Sequence, residues 1–197
     1  VGMTDGIRQV LQEESDALRA YYEQAGILIA RPAGGTSCRL AISAKGGTNA
    51  ENHNHNDVGS YAVALGSETM VGDQGGPNSY PGDYFNGDAP QKYKIKGSFG
   101  HPVPVVDGRT QSSGGKAKGV VLQKEFTNEK DVFSIDYTSA YSTPNLDKLI
   151  RTFVYDRQGE GNFTVGDEFT AKTPIRFETA ITTRADWKIL DLSLIHI

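Results

Sequence analysis

Val120-Val121-Leu122-Gln123-Lys124-Glu125-Phe126, a turn at Asn128-Glu129-Lys130-Asp131, and then Val132-Phe133-Ser134-Ile135-Asp136-Tyr137 decide the fold. Short runs rich in β-branched and aromatic residues, set apart by turn residues, are the signature of strands. Three more such runs follow: Leu149-Ile150-Arg151-Thr152-Phe153-Val154-Tyr155, Phe163-Thr164-Val165-Gly166-Asp167-Glu168-Phe169 and Ile175-Arg176-Phe177-Glu178-Thr179-Ala180-Ile181. Gln158-Gly159-Glu160-Gly161 supplies another turn. Five short strands at this spacing predict an antiparallel β-sandwich.

Towards the N-terminus the pattern continues. Ile27-Leu28-Ile29-Ala30-Arg31 and Cys38-Arg39-Leu40-Ala41-Ile42-Ser43-Ala44 flank Pro32-Ala33-Gly34-Gly35 and read as a hairpin. Ser60-Tyr61-Ala62-Val63-Ala64-Leu65 is another strand-like run. Residues 75–115, rich in Gly, Pro, Asn, Asp and Tyr, predict a long ordered loop region, a kind of segment that often carries function. Thr4 to Gln24 predicts one N-terminal helix, capped by Thr4 or Asp5, striped by Ile7, Val10, Leu11, Leu18 and Tyr21 or Tyr22, and ended by Gly26. The expected class is mainly β: an antiparallel sandwich over residues 26–190 with one N-terminal helix. Residues 1–25 read as the end of a separate helical domain and residues 191–197 as a non-native tail, so the chain reads as part of a longer protein.

Composition narrows the function classes. The net charge is −4 with no dominant basic stripe, which argues against nucleic acid as a partner. One cysteine, Cys38, rules out an intrachain disulfide framework. No apolar run approaches the ~20 residues of a membrane-spanning helix.

The chemistry concentrates in Glu51-Asn52-His53-Asn54-His55-Asn56-Asp57-Val58-Gly59-Ser60-Tyr61, which holds two of the four histidines. In an extended segment, residues i and i+2 share a face, so His53 and His55 are expected to present both imidazoles to one pocket. Zn²⁺ takes imidazole nitrogen and carboxylate oxygen, often with three protein ligands. Asp57 or Asp73 could supply the oxygen, and His101 in Phe99-Gly100-His101-Pro102 a further nitrogen. Spacing leaves the ligand set open. Asp73 equally suits an Asx-type turn, and His101 a capped loop position. A cupin would also place two histidines at i, i+2, but it continues with a glutamate, whereas here Asp57 follows and no second such motif is evident.

Three blocks in order carry a resemblance: His53-Asn54-His55-Asn56-Asp57-Val58-Gly59-Ser60-Tyr61; Gly72-Asp73-Gln74-Gly75-Gly76-Pro77 with Tyr80; and Gly100-His101-Pro102-Val103-Pro104 with Val106-Asp107-Gly108-Arg109-Thr110-Gln111. Together, over residues 26–190, they resemble the C-terminal β domain of heparinase II/III-like polysaccharide lyases. That resemblance implies a sandwich following an α/α toroid that this chain lacks. It implies Zn²⁺ held by His55, Asp73 and His101, with Asp57 orienting a ligand. It implies His53 as a catalytic residue and Asn52 beside it in the cleft, the catalytic tyrosine coming from the toroid. The implied substrate is an acidic, uronate-containing polysaccharide cleaved by β-elimination, in a periplasmic or secreted protein. Lys45, Lys92, Lys94, Lys96 and Arg109 could then meet an anionic chain, and Tyr80, Tyr84 and Tyr93 could stack on sugar rings. For any one of them the plainer reading is a surface lysine or a loop-core tyrosine. A non-catalytic carbohydrate-binding domain of the same fold, and a cupin-like metal protein, are the alternatives.

Overall fold

The computed structural model describes residues 17–73, 75–191 and 194–196. Two five-stranded antiparallel sheets form the body. The first takes β1 (Arg19–Tyr22), β2 (Ile27–Ala30), β3 (Leu40–Lys45), β5 (Tyr61–Leu65) and β6 (Glu68–Val71), in that spatial order. The second runs β11 (Asn162–Ala171), β10 (Leu146–Asp156), β9 (Lys130–Asp136), β8 (Gly114–Phe126) and β4 (Gly47–Asn49). A small pair joins β12 (Phe177–Thr179) to β7 (Pro104–Val106), and β13 (Lys188–Asp191) pairs with β14 (Leu194–His196). Leu28, Ile42 and Ala44 from one sheet and Phe133, Ile135, Leu149, Phe153 and Tyr155 from the other are buried in one cluster. Inward faces meeting in a single core make this a β-sandwich, as the alternating sequence runs predict.

The expected N-terminal helix is corrected where it can be seen. Residues 1–16 lie outside the described residues, and the remainder of the run enters β1, paired from Arg19↔Ala30 to Tyr22↔Ile27. Helix propensity in Leu-Arg-Ala is worth only tenths of a kcal/mol per residue. Against it stand a full ladder with β2, edge-on packing of Tyr21 against Phe126 and Phe133 at 5.6 and 5.8 Å, and the ion pair of Arg19 with buried Asp131 at 2.8 Å. Gly26 ends no helix. It lies in the β1–β2 turn with φ +63°.

The chain changes sheets between β3 and β4, at Gly46 and Gly47. A Cβ on Gly47 (φ +64°) would stand 2.4 Å from the Ala25 carbonyl oxygen, and one on Gly26 would stand 2.5 Å from the Gly47 nitrogen. These two glycines let the backbones touch at the corner of the sandwich. Past the corner, β4 pairs with β8 in the second sheet, and β5 then returns to the first. The histidine-bearing segment, residues 50–60, is therefore strung between the two sheets.

Candidate metal centre and cleft

The histidine segment is not a strand. Asn54 N–H bonds back to the Glu51 carbonyl at 3.1 Å, closing a turn that puts His53 at φ +60°. A non-glycine residue in the left-handed region costs about 1 kcal/mol and persists only where surroundings impose it. The expectation that His53 and His55 share one face of an extended run is thus overturned. The turn sends the two imidazoles to different neighbours.

A buried polar network fixes the segment. Gln111, 1% exposed, accepts from the Asn49 amide (2.9 Å) and the Val58 N–H (3.0 Å), and donates to the Val58 carbonyl (2.7 Å). Buried Asn56 donates to the Gln111 carbonyl (2.9 Å), and its own N–H donates to the Lys96 carbonyl (2.8 Å). Asn49 Oδ1 accepts from the Asp57 N–H at 3.1 Å. Arg151 pins both ends of the site from β10. Its Nη1 donates to the carbonyls of Gly59 and Pro102, each at 2.8 Å, while Nε and Nη2 grip Asp167 at 2.8 and 2.6 Å. Sequence reasoning missed the structural roles of Asn49, Asn56 and Arg151, because polar residues in loops and strands look like surface until their partners are known.

His55 and His101 meet directly: His55 Nδ1 lies 3.0 Å from His101 Nε2. Asp73, just beyond β6, brings Oδ2 to 3.9 Å from His55 Nδ1 and 3.6 Å from His101 Nδ1. One ligand atom from each of the three lies within 4.8 Å of the others. The Asx-turn reading of Asp73 also holds, since Oδ1 accepts the Gly75 N–H at 2.6 Å. One oxygen makes the turn and the other faces the imidazoles. Two imidazoles and one carboxylate form a donor set suited to a divalent ion such as Zn²⁺.

Burial, aided by the neighbouring His101 ring, pulls the His55 pKa below the ordinary value, against the opposing pull of Asp57 and Asp73. Burial does the same to His101, again opposed by Asp57 and Asp73. Both imidazoles are therefore biased towards the neutral form that binds metal. Asp57 is not a member of the ligand cluster. Its carboxylate is paired with the Lys45 ammonium, beside the site.

His53 belongs to a neighbouring cleft of about 530 Å³ whose walls include Asn52, Asn54, Asn56, Phe85, Lys96 and Ser113. It is exposed, with its ring 4.4 Å from that of Phe85. Asn52 lies in the same wall. The two tyrosines expected at the substrate stand apart from this lining. Tyr84 is corrected outright: it is 2% exposed, under Tyr80 (5.0 Å) and Phe85 (5.3 Å), so its ring cannot stack on a sugar. Its hydroxyl is buried without a hydrogen-bond partner among the described residues. Tyr80 is exposed and packs on Phe85 at 5.2 Å. Phe85, which the sequence marks only as one of the aromatics ordering the loop region, lines the cleft wall. Just before the one-turn helix α1 (Ala89–Lys92), Asp83 ties down Lys92 and the Tyr93 hydroxyl.

No protein-family model matches the chain, and no curated protein matches it. Among solved structures, the fold is similar to that of heparan sulfate lyase HepC from Pedobacter heparinus, with a TM-score of 0.60 and 19% identity over 80% of this chain. A HepC mutant gives 0.61 at the same identity. The matched part is 23% of the HepC chain. At this identity the relation is one of fold.

Proposed function

We propose that this domain is the β-sandwich part of a polysaccharide lyase that cleaves a uronate-containing acidic polysaccharide by β-elimination. The observation that carries the reading is the pairing of a His₂Asp cluster with an adjoining cleft that exposes a separate histidine, on a fold like that of HepC. The reaction removes the proton on C5 of the uronate. The electrons form a C4–C5 double bond, and the C4–O4 bond breaks as O4 gains a proton. No water is consumed. Charge builds on the carboxylate as the proton leaves, so the site must supply hydrogen-bond donors there and a base at C5.

His53 is the residue of this chain that moves a proton, and Asn52 offers amide donors at the same wall. His55, Asp73 and His101 would hold Zn²⁺, whose contribution is to order the loops around the cleft. Asp57 and Lys45 form the charged support beside it. The remaining machinery, a tyrosine included, comes from a helical toroid in the same protein, which acts in the periplasm or outside the cell.

The test joins this domain to its toroid and offers uronate polymers. Unsaturated, ultraviolet-absorbing product should appear and should vanish in His53→Ala. Polysaccharide binding that survives His53→Ala, with no such product from any uronate polymer, would assign a non-catalytic carbohydrate-binding domain instead.

A further inference from the structure

Lys96 stands in the wall of the same cleft and is not used by the chemistry above. It is 2% exposed. A lysine so deeply placed ordinarily has a carboxylate beside it, because an ammonium out of water is costly unless paired. Lys45, Lys92, Lys124 and Lys172 all have such partners. Among the described residues, Lys96 has none. Its Nζ donates to the Tyr84 carbonyl at 2.8 Å and lies over the rings of Tyr84 (4.7 Å) and Phe85 (5.3 Å). One carbonyl and two aromatic faces can hold a cation in place, but they do not neutralise it. Two of its three N–H donors are left over.

The surroundings say what this charge faces. The nearby cleft walls are the neutral amides Asn52, Asn54 and Asn56. The cleft's one carboxylate, Glu51, is exposed and held by the Thr48 hydroxyl at 3.0 Å. Phe85 packs against His53 (4.4 Å between rings) and lies under the Lys96 ammonium (5.3 Å), so one ring is shared by the imidazole and the ammonium. The Lys96 carbonyl also anchors Asn56 in the histidine segment, which fixes the ammonium relative to His53.

We propose that Lys96 is the anion-recognition residue of the cleft and takes the carboxylate of an acidic sugar. Lys96 and Phe85 line the same cleft, and a carboxylate bound there beside Phe85 would take the two free donors of Nζ. The identity of the sugar acid rests on the lyase reading, in which this is the carboxylate next to the proton that His53 removes. An ammonium there neutralises the group on which charge accumulates.

Calorimetric titration of this chain tests it with three oligosaccharides: a uronate oligomer, the same oligomer after carboxyl reduction, and a neutral oligomer bearing sulfate. The wild type should prefer the uronate oligomer at least tenfold, with affinity falling as salt rises. Lys96→Met should lose that tenfold preference while binding the reduced oligomer within twofold of wild type, and Lys96→Arg should restore part of it. Equal weakening towards acid and reduced sugars, or unchanged acid binding, overturns the proposal. Lys96-dependent binding of the sulfated neutral oligomer as tight as that of the uronate overturns the carboxylate assignment. If Lys96→Met does not fold, the wild type decides alone, and equal, salt-independent affinity for acid and reduced oligomers refutes it. Lys96-dependent acid binding without unsaturated product from the toroid-bearing protein would sink the lyase reading and leave Lys96 standing. Product formed at the wild-type rate by Lys96→Met, with unchanged acid affinity, would do the reverse.

Discussion

Replacing Arg151 by methionine should be among the costliest single changes in this domain. Arg151 lies on the core face of β10, 1% exposed, yet it carries a full charge. Four hydrogen bonds of 2.6–2.8 Å spend its donors on Asp167 and on the Gly59 and Pro102 carbonyls. Methionine fills the stem but leaves the Asp167 carboxylate without its cation, its side chain 12% exposed and only the Tyr137 hydroxyl still donating to it at 2.8 Å. Breaking a buried pair in this way costs about 3–5 kcal/mol. The two orphaned carbonyls would each cost about 1–3 kcal/mol if no water reached them, and these contributions overlap with the first. A loss of about 4 kcal/mol is expected, out of the roughly 5–15 kcal/mol that holds a domain together. Urea unfolding followed by circular dichroism should show the midpoint lowered by roughly 1.3–2 M, given a slope of about 2–3 kcal/mol/M. The double variant Arg151→Met/Asp167→Asn should recover a large part of the loss, because the unpaired charge is gone while an amide oxygen can still accept from the buried Tyr137 hydroxyl. A loss under about 1 kcal/mol in the single variant, or no recovery in the double, would refute the argument that the charge pair pins the loops.

Three other outcomes follow from the site. His53→Gly should be more stable than His53→Ala by about 1 kcal/mol, since only glycine adopts φ +60° without strain; thermal melts of the two variants side by side decide this. The pKa values of His55 and His101 are lowered on folding, so without metal the unfolded chain binds more protons below the ordinary 6.5. Stability should therefore be full above that value and fall as pH drops from about 6.5 towards the lowered pKa values, and the urea midpoint of His101→Gln should depend less steeply on pH over that window. Zinc should raise the melting temperature of the wild type, as a ligand of the folded state alone must, and Asp73→Ala should reduce that rise severely; an equal rise in both would remove Asp73 from the ligand set.

The strands were legible because burial on one side forces period-two alternation, and that signal survives in any sequence that folds this way. β8 to β11 and the β2–β3 hairpin each overlap a run that sequence alone marks, although β8 starts at Gly114, in the expected loop region, and β9 starts at Lys130, inside the expected turn. The coming together of His55, Asp73 and His101 was expected from a resemblance in three blocks, since spacing alone could not choose among Asp57, Asp73 and His101. What could not be read is what depends on distant partners. Arg19 to Tyr22 carry residues that suit a helix, and it is the ladder with β2, the packing of Tyr21 and the Arg19–Asp131 pair that make them a strand. Tyr84 looked like a sugar platform but is needed under Phe85, and Lys96 looked like surface until its burial was seen. The extended reading of the histidine run failed for a local reason, the Glu51–Asn54 turn, which Asn-rich sequence permits but does not require.

The change of sheets at Gly46 and Gly47 has a bearing on the order of events as the chain folds. β3 can pair with β2 across a short loop, but β4 pairs Gly47 with Gly119, so it must wait for a strand far along the chain. Distant pairings close late, because their loop entropy is lost before their contacts form. The histidine segment hangs between β4 and β5, and it cannot take its final turn until both sheets exist and have met. The domain thus acquires its chemistry at the end of folding, and a chain halted with only the first sheet formed would have a hairpin stack and no site.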